Sequence, residues 1–191
     1  MIGSLPATRL APLDYRCALD AALASLGEAP ALVICRAPEL EGELRQRAPW
    51  AGLAAGIWVE PQAAGWRTDM GTFARRLLPG ASLAIVASRP LARLLPERRG
   101  WAGGALGLQP GGIWRLRAAL AGAGLALRAD HGFHSPAAIA LGVLARRAER
   151  AGRPDLSDRL YFAARLRYRA SGAQAALCAV ALLIAVKEAD L

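Results

Sequence analysis

The chain has 191 residues, 54% hydrophobic and 6% aromatic, with 24 Lys or Arg against 15 Asp or Glu for a formal charge of +9. That length supports one domain with a substantial core, and that apolar content excludes a disordered chain. Cys17, Cys35 and Cys178 show neither CxxC nor metal-ligand spacing, so Cys35 and Cys178, in apolar strand-like runs, read as packed thiols.

In chain order, residues 1–12 read as a tail or strap. Leu19, Leu23 and Leu26, with Ala22, recur at helical spacing over Leu13–Leu26, and Gly27 falls where a C-cap belongs. Ala31–Cys35 is the first strand. Pro38 opens a short charged helix, Glu39–Arg47, that Pro49 ends. Leu53–Val59 is a second strand, weakened by Gly56 and terminated by Glu60-Pro61. A helix capped by Thr68 or Asp69 runs to Leu78, a Pro79-Gly80 turn follows, and Ser82–Ser88 is an uninterrupted apolar strand. Such a strand between helical patterns belongs in a sheet covered on both faces.

Pro90 and Pro96 bound a short segment, Leu91–Leu95. Residues 100–112 contain six glycines and must either move or approach something closely. Ile113–Ala123 is a helix and Leu125–Ala129 a strand. Asp130–Pro136 reads as an irregular turn in which Ser135 can cap the next helix. Two helices, Pro136–Ala151 and Asp155–Arg169, make a helical hairpin, the second started by Pro154 with Asp155 or Ser157 as cap. Ala175–Val186 is the last strand. The expected fold is α/β, a single domain over 1–191. Its sheet is mostly parallel and Rossmann-like, of about five strands with helices on both faces. A helical hairpin, 137–170, is inserted before an antiparallel last strand. The chain opens without a charged-then-apolar leader, and its longest apolar run, Ala175–Val186, is too short for a membrane span, so a cytoplasmic protein is expected.

The pattern resembles class I S-adenosylmethionine-dependent methyltransferases over roughly residues 50–191. The residues that carry the resemblance are Ile57-Trp58-Val59-Glu60, a strand ending in an acid, and Leu77-Leu78-Pro79-Gly80 leading into Ser82–Ser88, similar to the family's L-x-P-G-G turn and fifth strand. Ala123-Gly124-Leu125 is similar to the lead into its sixth strand, and the final strand ending near Lys187 to its closing antiparallel hairpin. In that family a G-x-G loop after the first strand and an acid ending the second hold the cofactor, because only Gly lets backbone approach the ligand and a carboxylate accepts from ribose hydroxyls. Here Arg36-Ala37-Pro38-Glu39 follows the first strand, none of the glycines before Gly80 forms G-x-G, and the separate strand for the ribose acid has no room.

Ligands of open α/β sheets sit beyond the carboxyl ends of the strands. The candidates there are Cys35, Arg36, Glu60, Arg89, His131 and His134. Glu60 can act as base or acceptor, and Arg36 and Arg89 can hold an anion. His131 and His134 share a turn with Asp130, where metal ligation, acid–base work and structural hydrogen bonds are all open. No residue is assigned a catalytic or metal-binding role. A second candidate is a basic patch on the hairpin, Arg146, Arg147, Arg150, Arg159, Arg165, Arg167 and Arg169, suited to RNA or an anionic surface, with Tyr161, Phe162, Tyr168 and Trp114 able to stack on RNA bases. Three expectations follow. The first is a methyltransferase-like binding or assembly module with no cofactor, joined to a protein partner or a second copy. The second is a divergent methyltransferase using S-adenosylmethionine, and the third a polyanion-binding protein acting through the hairpin.

Overall fold

In a computed structural model the residues described are 16–27, 31–37, 41–42, 44, 53–94 and 104–189. The elements are α1 (Arg16–Leu26), β1 (Ala31–Cys35), β2 (Ala55–Val59), α2 (Trp66–Arg76), β3 (Ser82–Ser88), α3 (Gly112–Gly122), β4 (Leu125–Phe133), α4 (Pro136–Arg150), α5 (Pro154–Leu166), β5 (Arg169–Ser171) and β6 (Val180–Lys187). Short 3-10 turns at Pro90–Leu94, Leu106–Leu108 and Gly172–Leu177 join them.

One six-stranded sheet runs in the order β1-β2-β3-β6-β4-β5. The first three strands are parallel, with Ile57 beside Ala84 and Val33 beside Ile57. β6 then enters antiparallel to β3, and β4 pairs antiparallel to β6, so β4 points the same way as β1–β3. β2 and β3 are buried almost throughout, as their continuous apolar runs require when both sheet faces are covered. Leu19 and Ala22 of α1 pack with Ile57, Val86 and Leu182 on one face. On the other, Phe73 of α2 and Leu116 and Leu120 of α3 pack with Trp58, Leu83, Ile85 and Leu183. Burial of each large side chain in these layers contributes roughly 1.5–3 kcal/mol. Gly56 serves this packing rather than weakening it: a Cβ there would stand 2.9 Å from Leu83 Cδ1 and 3.1 Å from the Phe73 ring.

Several boundaries differ from the sequence expectation, each for a local reason. There are six strands rather than about five, because Arg169–Ser171, just where the second hairpin helix was expected to end at Arg169, adds a short strand to β4. β4 itself continues to Phe133 where an irregular turn was expected; a bulge between Leu127 and Ala129 keeps its pairing with β6 through Asp130 and His131. α2 starts at Trp66 behind Gly65 in the left-handed region (φ 85°), so neither Thr68 nor Asp69 caps it. α5 starts behind Arg153 rather than under a cap from Asp155 or Ser157. The last strand starts at Val180, since Gly172–Leu177 turns as 3-10 helix. Ser135 does cap α4, accepting from the Ala138 N–H at 3.1 Å. Glu41, Gly42 and Leu44 are helical within the expected helix Glu39–Arg47, the rest of which, like residues 1–15 and 95–103, lies outside the described residues.

Candidate functional site at the carboxyl ends of the strands

Parallel β1, β2 and β3 end side by side, which brings Arg36, Glu60 and Arg89 to one edge of the sheet. Each of the three is engaged by the protein itself. Arg36 makes a two-pronged bond with Asp69 in the first turn of α2, Nε to Oδ2 at 3.0 Å and Nη2 to Oδ1 at 2.5 Å. The hydrogen bond to Asp69 raises the Arg36 pKa further above its ordinary value. Asp69 suits the positive end of the α2 dipole and is buried, though its guanidinium partner is half exposed.

Glu60 is fully buried and held in the left-handed backbone region at φ 56°. For a residue with a Cβ that conformation costs about 1–2 kcal/mol. Its carboxylate accepts from the Ser88 hydroxyl at 2.8 Å and from the Ser88 N–H at 3.3 Å, while its own N–H donates to Val86 O at 2.8 Å. The acid at the end of β2 therefore ties β2 to β3. Charge-assisted hydrogen bonds of this kind offset both the backbone strain and the desolvation of the carboxylate.

Arg89 is 5% exposed. Its N–H donates to Ala179 O, its Nη1 to Ala175 O, and its Nη2 to both oxygens of Asp130 at 3.1 and 3.3 Å. Arg117 from α3 reaches the same carboxylate at 3.3 Å. Burial pulls the Arg89 pKa below its ordinary value, against the pull of Asp130.

Of the remaining candidates, Cys35 ends β1 and His134 follows the end of β4, both at this edge of the sheet, whereas His131 lies within β4. Cys35 is half-buried, its thiol directed to Ala37 O at 3.2 Å. His131 lies within β4, half-buried, and desolvation, then the charge of Arg169, lowers its pKa from 6.5. His134 is fully buried in the left-handed region at φ 57°, its Nε2 3.1 Å from the Tyr168 hydroxyl and its ring edge-on to Tyr168. Among the described residues no group of three or more His, Cys, Asp or Glu is placed to hold a metal ion. The hairpin arginines Arg147, Arg150, Arg159, Arg165, Arg167 and Arg169 are exposed and Arg146 is half-buried. Phe162, 64% exposed, stands out on the same hairpin, while Tyr168 packs edge-on to Phe133.

Sequence reasoning missed Asp69, Ser88 and Arg117 as partners of the candidate residues. One signal for Asp69 was present: with Trp66, Met70 and Phe73 it completes the buried helical stripe of α2, and a carboxylate in such a stripe needs a cation.

The sheet order, the reversed β6 and the helices on both faces define a class I S-adenosylmethionine-dependent methyltransferase-like Rossmann fold. A solved SAM-dependent methyltransferase from Thermotoga maritima superposes on it with a TM-score of 0.51 at 11% identity, covering 91% of this chain and 89% of that one. Weaker overlaps are found with a geranyl diphosphate methyltransferase solved in complex with SAM (TM-score 0.44, 12% identity, 94% and 86% covered) and with the N-methyltransferase NodS from Bradyrhizobium japonicum WM9 (0.42, 13%, 92% and 94%). At such identities the likeness is one of fold. No protein-family model matches the chain, and no curated protein matches it in sequence. No helix among the described residues is long and apolar enough to cross a membrane.

Proposed function

We propose that the chain is a binding or assembly module built on the methyltransferase-like fold, and that it works without S-adenosylmethionine. The observation that carries this reading is the internal occupation of the strand ends. At these strand ends Arg36 is clasped by Asp69 and the Glu60 carboxylate is buried against Ser88. In sequence, the first strand is followed by Arg36-Ala37 and not by the glycines of the family's G-x-G. These residues do not fit the cofactor, so no methyl-transfer step is assigned to them. The exposed arginines of α4 and α5 give the module a basic face suited to an acidic partner.

Isothermal titration of the whole chain with S-adenosylmethionine at millimolar concentration tests the reading. No saturable heat is expected. Saturable binding that is lost on Glu60→Gln, with the fold intact by circular dichroism, would replace it by the divergent-methyltransferase reading.

A further inference from the structure

A groove of about 490 Å³ opens at the β5 edge of the sheet, between the start of α4 and the end of α5. Ser135, Leu166, Arg167, Arg169, Gln174 and Leu177 line it. β5 closes the strand order with β4 as its neighbour, so no further strand among the described residues covers this side.

The walls are held by bonds of their own. The Ser135 hydroxyl donates to Arg167 O at 2.5 Å while it caps α4, which joins the start of one hairpin helix to the end of the other. Arg167 Nη1 donates to Ala163 O at 3.3 Å, and the Arg169 guanidinium stands 5.7 Å from the centre of the Phe133 ring. The 3-10 turn Gly172–Leu177 buries Ala175 and the following Cys178 but leaves Leu177 64% exposed; Leu166, which ends α5, is 68% exposed.

Two features of this groove select its occupant. Two large apolar side chains stand in water within one concavity, and covering them with another apolar group is favourable. The charge around them has one sign: segments 131–148 and 159–187, which supply every residue lining the groove, contain no Asp or Glu. Leucines flanked by guanidiniums fit an apolar side chain flanked by carboxylates, which Arg binds in two-pronged fashion. Among the described residues the lining includes no aromatic ring on which a nucleic-acid base would stack. A concave site also receives a side chain better than the plane of a bilayer.

We propose, on the binding-module reading, that this groove docks an acidic segment of a partner protein, which seats one leucine-sized side chain against Leu166 and Leu177 and sets carboxylates on Arg167 and Arg169. The volume lies in the range of sites that enclose a drug-sized group, enough for such a side chain and its neighbours.

The probe is a random-peptide display library selected on the whole chain, with the enriched peptides synthesised and titrated by fluorescence anisotropy. Enriched peptides are expected to combine Asp or Glu with Leu, Ile or Met, and to bind saturably with an affinity that falls as salt rises. Leu177→Ser and Arg167→Gln each weaken binding about tenfold, as loss of an apolar contact and of a charge-assisted bond should. Arg150→Gln and Phe162→Ser, exposed on the same hairpin but outside the groove, leave it unchanged. Thermal unfolding of each variant checks that it is folded. Failure to enrich acidic peptides, wild-type affinity in both Leu177→Ser and Arg167→Gln, or equal losses in Arg150→Gln and Arg167→Gln would overturn the proposal. So would saturable binding of single-stranded RNA or phosphatidylserine vesicles where the peptides do not bind. Saturable S-adenosylmethionine binding, read in its own titration, would instead overturn the binding-module reading.

Discussion

Asp130→Asn is the sharpest test of how the end of β3 is held. The Arg89 side chain is 6% exposed and that of Asp130 15%, with Nη2 to oxygen distances of 3.1 and 3.3 Å. At an effective dielectric of about 20, one unit-charge pair at this distance attracts by about 5 kcal/mol before desolvation. The substitution removes the anionic charge and keeps the shape, so the attraction is lost while Arg89 stays buried. The net cost of stripping one member from such a pair is about 3 kcal/mol, at the low end of the usual range because Asn still accepts one bond. For a chain of this size that corresponds to a fall in Tm of about 6–12 °C. Differential scanning calorimetry of the wild type, Asp130→Asn, Arg89→Met and the double variant gives both the cost and the coupling. If Asp130→Asn lowers Tm by less than about 2 °C, or if the two single losses simply add in the double variant, the pair does not anchor this edge.

Gly107→Ala should destabilise by about 2 kcal/mol or more, because its Cβ would meet backbone at Ser88 O and not a movable side chain, whereas Gly122→Ala has open space and should leave the urea midpoint unchanged or slightly raised. Matching midpoints for Gly107→Ala and the wild type would refute the close approach. His131 gives a pH dependence of definite sign. Desolvation, then Arg169, depresses its pKa in the folded chain, so the unfolded chain takes up the proton first, around 6.5, and stability falls as pH drops through that value. His131→Gln should flatten that part of the stability profile; an unchanged slope would show that His131 is not its source.

The parts of this fold that were legible in the sequence are those governed by neighbours along the chain. Ser82–Ser88 is an unbroken apolar run, and it forms β3 with those bounds because a strand covered on both faces tolerates nothing else. Ser135 followed by Pro136 announces a helix start through short-range hydrogen bonding, and the cap is there. What escaped is set by contacts between distant residues. Gly56 reads as a flaw until Phe73 and Leu83 are seen lying against it. The stretch after Ala129 reads as a turn because Asp130-His131-Gly132 lacks apolar alternation; pairing with β6, about 50 residues later, keeps it extended.

The candidate site follows the same division. Its charged residues were visible as types at the strand ends, but whether a charge faces a ligand or another side chain depends on partners 28, 33 and 41 positions away: Ser88 for Glu60, Asp69 for Arg36, Asp130 for Arg89. In two of those associations, Arg36 with Asp69 and Glu60 with Ser88, a strand-end charge is engaged by a side chain from a neighbouring element. The third leaves Arg89 with one buried donor unspent.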